Sequence, residues 1–176
     1  ENSIKGNFIY AKPNFNYTDN TLFTSLSSTT TDNLVASGYK SRDMTFSLGT
    51  SFMQYENLNF RPEISTSLEK LETNSSATAS LKKQEGSYFD TEFSYLLDFD
   101  KRNEFFQTTD GYRSRFNQVL PLAADHTTII NGYELNTYHE LFFDNVLKTT
   151  LYMRSANSLG DKDVRISDRQ YIPSSK

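Results

Sequence analysis

The 176-residue sequence has no cysteine and no tryptophan, and only seven glycines and four prolines. Without cysteine there is no disulfide framework and no thiolate metal site. No apolar run approaches the ~20 residues that a membrane-crossing helix needs. Clustered basic charge is missing too. The net charge is -4 and the pI about 5.2, with lysines and arginines scattered, so the chain lacks the electrostatic footprint of a nucleic-acid binder. Its first residues, ENSIKGNF, have neither the basic nor the apolar region of a signal peptide, which fits mature material or a piece of a longer protein.

Aliphatic residues are also scarce. The hydrophobic fraction is 36% and the mean hydropathy -0.63, yet 14 Phe and 11 Tyr bring the aromatics to 14%. Large anchors with little Leu, Ile and Val between them would make a thin conventional core, although the length fits one domain. A barrel with a wet interior and a lipid-facing exterior avoids that difficulty, because the bilayer covers the apolar face.

The distribution of residues supports such a barrel. In the stretch Ser87 to Arg115, Phe89, Thr91, Phe93, Tyr95, Leu97 and Phe99 share one parity, and Asp90, Glu92, Ser94, Asp98 and Asp100 share the other. After a charged turn, Tyr112, Ser114, Phe116, Gln118, Leu120 and Leu122 alternate with Arg113, Arg115 and Asn117. Period-two alternation is the mark of a strand with one apolar and one polar face.

The same pattern recurs before and after this stretch. Met44, Phe46, Leu48 and Phe52 oppose Asp43, Thr45, Ser47 and Ser51; Leu58, Phe60, Ile64 and Leu68 oppose Asn59, Arg61, Glu63, Ser65 and Ser67. The alternation predicts about eight antiparallel strands of ten or so residues in a single domain, an all-β transmembrane barrel or part of one. TTDNLVASGYKS reads as a longer loop, Glu72 to Gly86 as another, and Pro62 as a bulge or ladder edge. Turns after the odd-numbered strands look short and those between them longer, the asymmetry of outer-membrane barrels, with AADHT as the exception.

Few residues point to catalysis. His126 and His139 are too far apart for a local metal motif. Asp98 and Asp100 share a face and have the types needed for cation binding or acid–base work, but beside Lys101 and Arg102 a solvated wall is the better reading. Phosphate loops and nucleophile elbows are absent. Phe52, Tyr55, Phe99, Phe105, Phe106, Phe142 and Phe143 gather near strand ends, where a membrane-interface girdle belongs.

The segment DFDKRNEFFQTTDGYRSRFNQVLPL resembles the mid-barrel hairpin of outer-membrane-protein assembly factors of the BamA type, in the bacterial surface antigen superfamily. That family's hairpin has Asp-x-Arg-Asp/Asn, then an aromatic turn Phe-Phe-Pro-Thr, then Gly-x-Arg. Asp100, Arg102, Asn103, Phe105, Phe106, Thr108, Gly111 and Arg113 match it, while Gln107 stands where proline is usual and the turn is one residue longer. AKPNF is similar to an early hairpin turn of that barrel. Ser167, Asp168, Arg169 and Tyr171 resemble the approach to its large extracellular loop, with Pro173, Ser174 and Ser175 in place of the usual glycines.

The resemblance implies a non-enzymatic protein of the bacterial outer membrane that folds and inserts outer-membrane proteins. It implies no cofactor, metal or catalytic residue. The implied partners are outer-membrane lipid, unfolded outer-membrane proteins and accessory lipoproteins, with no nucleic acid. Residues 1–176 would form the middle of a larger barrel, with periplasmic repeats and seam strands elsewhere. The alternatives are a protein-exporting transporter of the same superfamily, a soluble aromatic-rich β-sandwich that binds polysaccharide, and a small diffusion porin.

Overall fold

A computed structural model describes residues 2–125, 127–142, 144–160 and 164–165. Eight strands follow in order: β1 (Asn2–Lys12), β2 (Thr21–Asn33), β3 (Tyr39–Tyr55), β4 (Leu58–Thr73), β5 (Gly86–Asp100), β6 (Gly111–Ala124), β7 (Thr128–Glu140) and β8 (Val146–Ser158). They form one antiparallel sheet in sequence order, β1 to β8. β1 and β8 lie at its two edges, so the sheet is open. A single sheet also removes the sandwich alternative, which needs two.

The strands run longer than the alternation predicts, and the difference falls on polar residues. Most of TTDNLVASGYKS is strand: Thr29 to Asn33 pair with Tyr39 to Asp43, leaving only Leu34 to Gly38 as the connection. Threonine is a good strand former whatever its polarity. The charged turn between the fifth and sixth strands runs from Lys101 to Asp110, as the sequence reads, and a short helix, α1 (Ala79–Lys82), interrupts the connection between β4 and β5.

Burial is inverted relative to a soluble domain. Among the described residues the buried apolar ones are Phe23, Leu71 and Ala77, while the buried polar ones are Ser47, Glu69, Asp90, Thr128, Asn136 and Arg165. Phe46, Leu48, Ile64, Leu68 and Leu151, on the opposite parity, are about half exposed. The chain therefore hides its polar face and presents its apolar one.

Register keeps this division in phase across the sheet. One residue of slip would move every side chain of a strand to the other face. Between β3 and β4 a single register runs from Tyr39↔Thr73 to Met53↔Asn59. Pro62 lies in this interior strand, opposite Tyr95 of β5, and is neither an edge nor a bulge; the β3 ladder lapses at Arg61 and Pro62 without shifting. The shifts that do occur fall near strand ends, between Met53 and Tyr55 beside the turn at Glu56–Asn57, and between Thr91 and Glu92 beside Pro121.

Phe23 is the phenylalanine of the described strands that breaks the parity. It lies on the polar face, under the Arg61 guanidinium 4.0 Å from its ring centroid, and over Gly49, where a Cβ would come within 2.3 Å of the ring. Gly49 gives the ring its space. Replacing Gly49 with Ala should lower stability by about 1–3 kcal/mol through overpacking, measured by urea unfolding in detergent. Adding Phe23→Ala should recover part of the loss, and an equal loss in both backgrounds would remove the ring as its cause.

Candidate functional site

The turn between β5 and β6 is built from its side chains. Asn103 donates its backbone N–H to the Asp110 carbonyl at 3.0 Å, and its Oδ1 accepts from the N–H groups of Glu104, Thr109 and Asp110 at 3.0–3.2 Å. The Thr108 hydroxyl donates to the Glu104 carbonyl at 2.7 Å. Gly111 closes the turn with a φ of +97°, and a Cβ there would meet the Lys101 carbonyl oxygen at 2.2 Å. No other residue type fits both demands. Gln107 has a φ of +53°, which proline, fixed near -65°, cannot adopt. The longer turn thus explains why proline is absent from that position.

Charged side chains then line the polar face in order. Arg102 clasps Asp100 through both carboxylate oxygens at 2.8 and 2.6 Å, and its guanidinium lies 5.2 Å from the Phe105 ring centroid. The carboxylate hydrogen bond raises the Arg102 pKa above its already high ordinary value. On β6, Arg113 clasps Asp98 at 2.9 and 2.5 Å and lies 3.7 Å from Asp100. Arg115 donates to Glu134 of β7 at 2.6 Å, Asn136 donates to the same carboxylate at 2.7 Å, and Thr150 of β8 donates to Asn136 at 2.8 Å. A hydrogen-bonded row thus crosses β5 to β8 with each carboxylate held by guanidinium. Such a row provides a rigid hydrophilic wall and leaves Asp98 and Asp100 poorly placed for acid–base work.

Of the residues singled out in the sequence, Asp100, Arg102, Asn103, Thr108, Gly111 and Arg113 come together here. Phe105 and Phe106 stack edge to face at 5.3 Å on the exposed side of the turn. Ser167, Asp168, Arg169 and Tyr171 lie outside the described residues, as do His126 and Phe143. His139 is exposed, its Nδ1 4.0 Å from Asp110. Among the described residues no cluster of three His, Asp or Glu gathers to hold a metal ion.

A second charged cluster was invisible in the sequence. Arg165, beyond the end of β8, reaches the polar face of β4 and β5, where it pairs with Asp90 and, at 3.3 Å, with Glu69. Its guanidinium stacks 5.1 Å from the Tyr88 ring centroid, and Asp90 also accepts from the Asp125 N–H at 3.0 Å. The three charged side chains are only 6%, 9% and 3% exposed for Arg165, Glu69 and Asp90. The partners are 96 and 75 positions away in the chain, so no local pattern announces them.

The Omp85 superfamily domain matches residues 1–176. The chain belongs to the Omp85 superfamily. BamA from Haemophilus ducreyi lacking POTRA domains 1–3 has the same fold, with a TM-score of 0.80 and 20% identity, covering 92% of this chain and 34% of that one. The chain therefore spans about a third of the length of that BamA chain. No curated protein matches the sequence. Membership places the chain in the bacterial outer membrane, within a superfamily that assembles or transports outer-membrane proteins.

The Arg165 cluster gives a test of how the Omp85 wall is held. Replacing Arg165 with Leu should cost about 3–5 kcal/mol, because two buried carboxylates lose their cation. Glu69→Gln with Asp90→Asn in the same chain should recover much of that loss in urea unfolding. Wild-type stability for the single variant would show that Arg165 does not anchor its segment.

Proposed function

We propose that this chain forms part of the wall of a larger Omp85 barrel whose protein folds and inserts other outer-membrane proteins, with no covalent step. The observation that carries the reading is the inverted burial: apolar side chains outward, arginine–carboxylate pairs inward. An outward apolar face matches lipid, and the ion-paired face matches a water-filled interior. Isolated charges facing lipid would be costly, whereas Arg113, Arg115 and their carboxylate partners lie on the face away from it.

Residues 1–176 act as one unit in this proposal. Its edge strands β1 and β8 would leave a row of N–H and C=O groups unpaired in a bilayer, so further strands of the same protein flank them. Asp100, Arg102, Asn103, Gly111 and Arg113 form the corner that fixes β5 and β6 on the interior wall. Phe105 and Phe106 sit in the interfacial girdle. Its partners are outer-membrane lipid, unfolded outer-membrane proteins and accessory lipoproteins.

Reconstitution distinguishes insertion from export. Liposomes carrying the protein with its full chain should speed the folding of a urea-unfolded outer-membrane barrel over empty liposomes, read by protease resistance of the folded product. Failure to do so, together with transfer of a soluble partner across the same bilayer, would overturn insertion in favour of the exporter.

A further inference from the structure

A row of hydrogen-bonding side chains crosses the apolar parity of β5 to β8. Tyr95, Gln118, Asn131 and Ser155 stand opposite one another on the four strands. Apolar rows flank it. Phe93 faces Leu120 on one side, and Leu97, Phe116, Tyr133 and Met153 stand opposite one another on the other. Successive rows on one face are about 6.8 Å apart, so the Gln118 amide lies inside the apolar band.

This row satisfies itself only in part. A side-chain amide has two N–H donors and two carbonyl lone pairs. Gln118 accepts from the Tyr95 hydroxyl and donates to Asn131, which donates in turn to Ser155. Among the described residues these are the only side-chain hydrogen bonds of Gln118 and Asn131, so each amide keeps one N–H and one lone pair. Both side chains are half-buried, and their free groups are open to the outward face.

We infer that Gln118 and Asn131 form the centre of a lateral interface with a second copy of this chain. The inference rests on the outward face meeting lipid. Hydrocarbon offers a free amide no partner, so hydrogen bonding across a protein contact is favoured there. Depth is what selects a second copy. Two copies in one membrane share an orientation, and a two-fold axis along the membrane normal keeps every residue at its own depth. The amide pair of one copy therefore meets the same pair of the other, and an amide complements itself because it both donates and accepts. Any other protein would need a polar side chain at that same depth. Two convex barrel walls touch along few strands, and Gln118 and Asn131 stand on the middle two of the four.

The protein with its full chain, reconstituted in liposomes, provides the test. Residues 1–176 contain no cysteine, so Phe46→Cys, on the outward face of β3, takes a single fluorophore once any cysteine elsewhere in the protein is replaced. Energy transfer between donor- and acceptor-labelled copies should report a dimer that dissociates on dilution with lipid. Gln118→Leu with Asn131→Leu, or the same two positions changed to Val, should raise the dissociation constant about tenfold, the scale of a polar contact between membrane segments. Both pairs suit a lipid-facing position, so the folded, heat-modifiable band on gels should match the wild type. Energy transfer absent at every protein density, or undiminished in the folded double variants, would overturn the interface. The same fluorophore should be quenched by brominated acyl chains. Quenching of a protein that stays monomeric would overturn the interface alone, whereas no quenching would overturn the lipid-facing reading and the interface with it.

Discussion

Everything in this fold depends on keeping a two-residue alternation in phase across eight neighbouring strands. In a bilayer the apolar parity has to face outward on all of them at once, and a slip anywhere sends charges into hydrocarbon. The sheet meets this with long ladders. β3 and β4 hold one register over most of their length despite Pro62, and the two register shifts sit where few residues remain to be misplaced. At Glu56–Asn57 the turn is tight, with Asn57 at a φ of +65°. An asparagine adopts that conformation at low cost, so the shift is absorbed beside the turn and the ladder stays intact.

Given that phase, the polar face becomes a place where charge is cheap only if organised. Arg102, Arg113 and Arg115 each reach a nearby carboxylate, and the contacts of Arg102 and Arg113 are bidentate. Arg165 extends the same chemistry over a longer range. It lies beyond β8 and is tied to β4 and β5. A pair with this little exposure adds modest net stability compared with an apolar packing of equal volume, but removing one partner is costly, which makes it a good determinant of position.

The class of fold was legible because period-two patterning survives in composition: Phe89 to Phe99 and Met44 to Leu48 show their faces without any tertiary information. Strand limits were not legible. Thr29 to Asn33 carry no apolar residue to reveal the alternation, yet their backbone continues the ladder with β3. The turn residues were found through their order in sequence, and the structure supplies the reason for two of them, the φ of Gly111 and the threefold acceptor role of Asn103. Arg165 could not be found this way, since a buried charge is recognised by its partners and these are distant in the chain.

The outward face contains a row that alternation alone would mark as a fault. Tyr95, Gln118, Asn131 and Ser155 lie opposite one another on β5 to β8, all on the apolar parity. The Tyr95 hydroxyl donates to Gln118 at 3.0 Å, the Gln118 amide donates to Asn131 at 2.6 Å, and the Asn131 amide donates to Ser155 at 3.4 Å. Unpartnered, such amides would each cost several kcal/mol in hydrocarbon, on the order of 2–7. Linked along the ladder direction, each meets part of its hydrogen-bonding need from the neighbouring strand. The same antiparallel register that sends apolar side chains outward therefore also places the exceptions side by side, and a polar residue on this face is tolerated where its cross-strand neighbour is polar too.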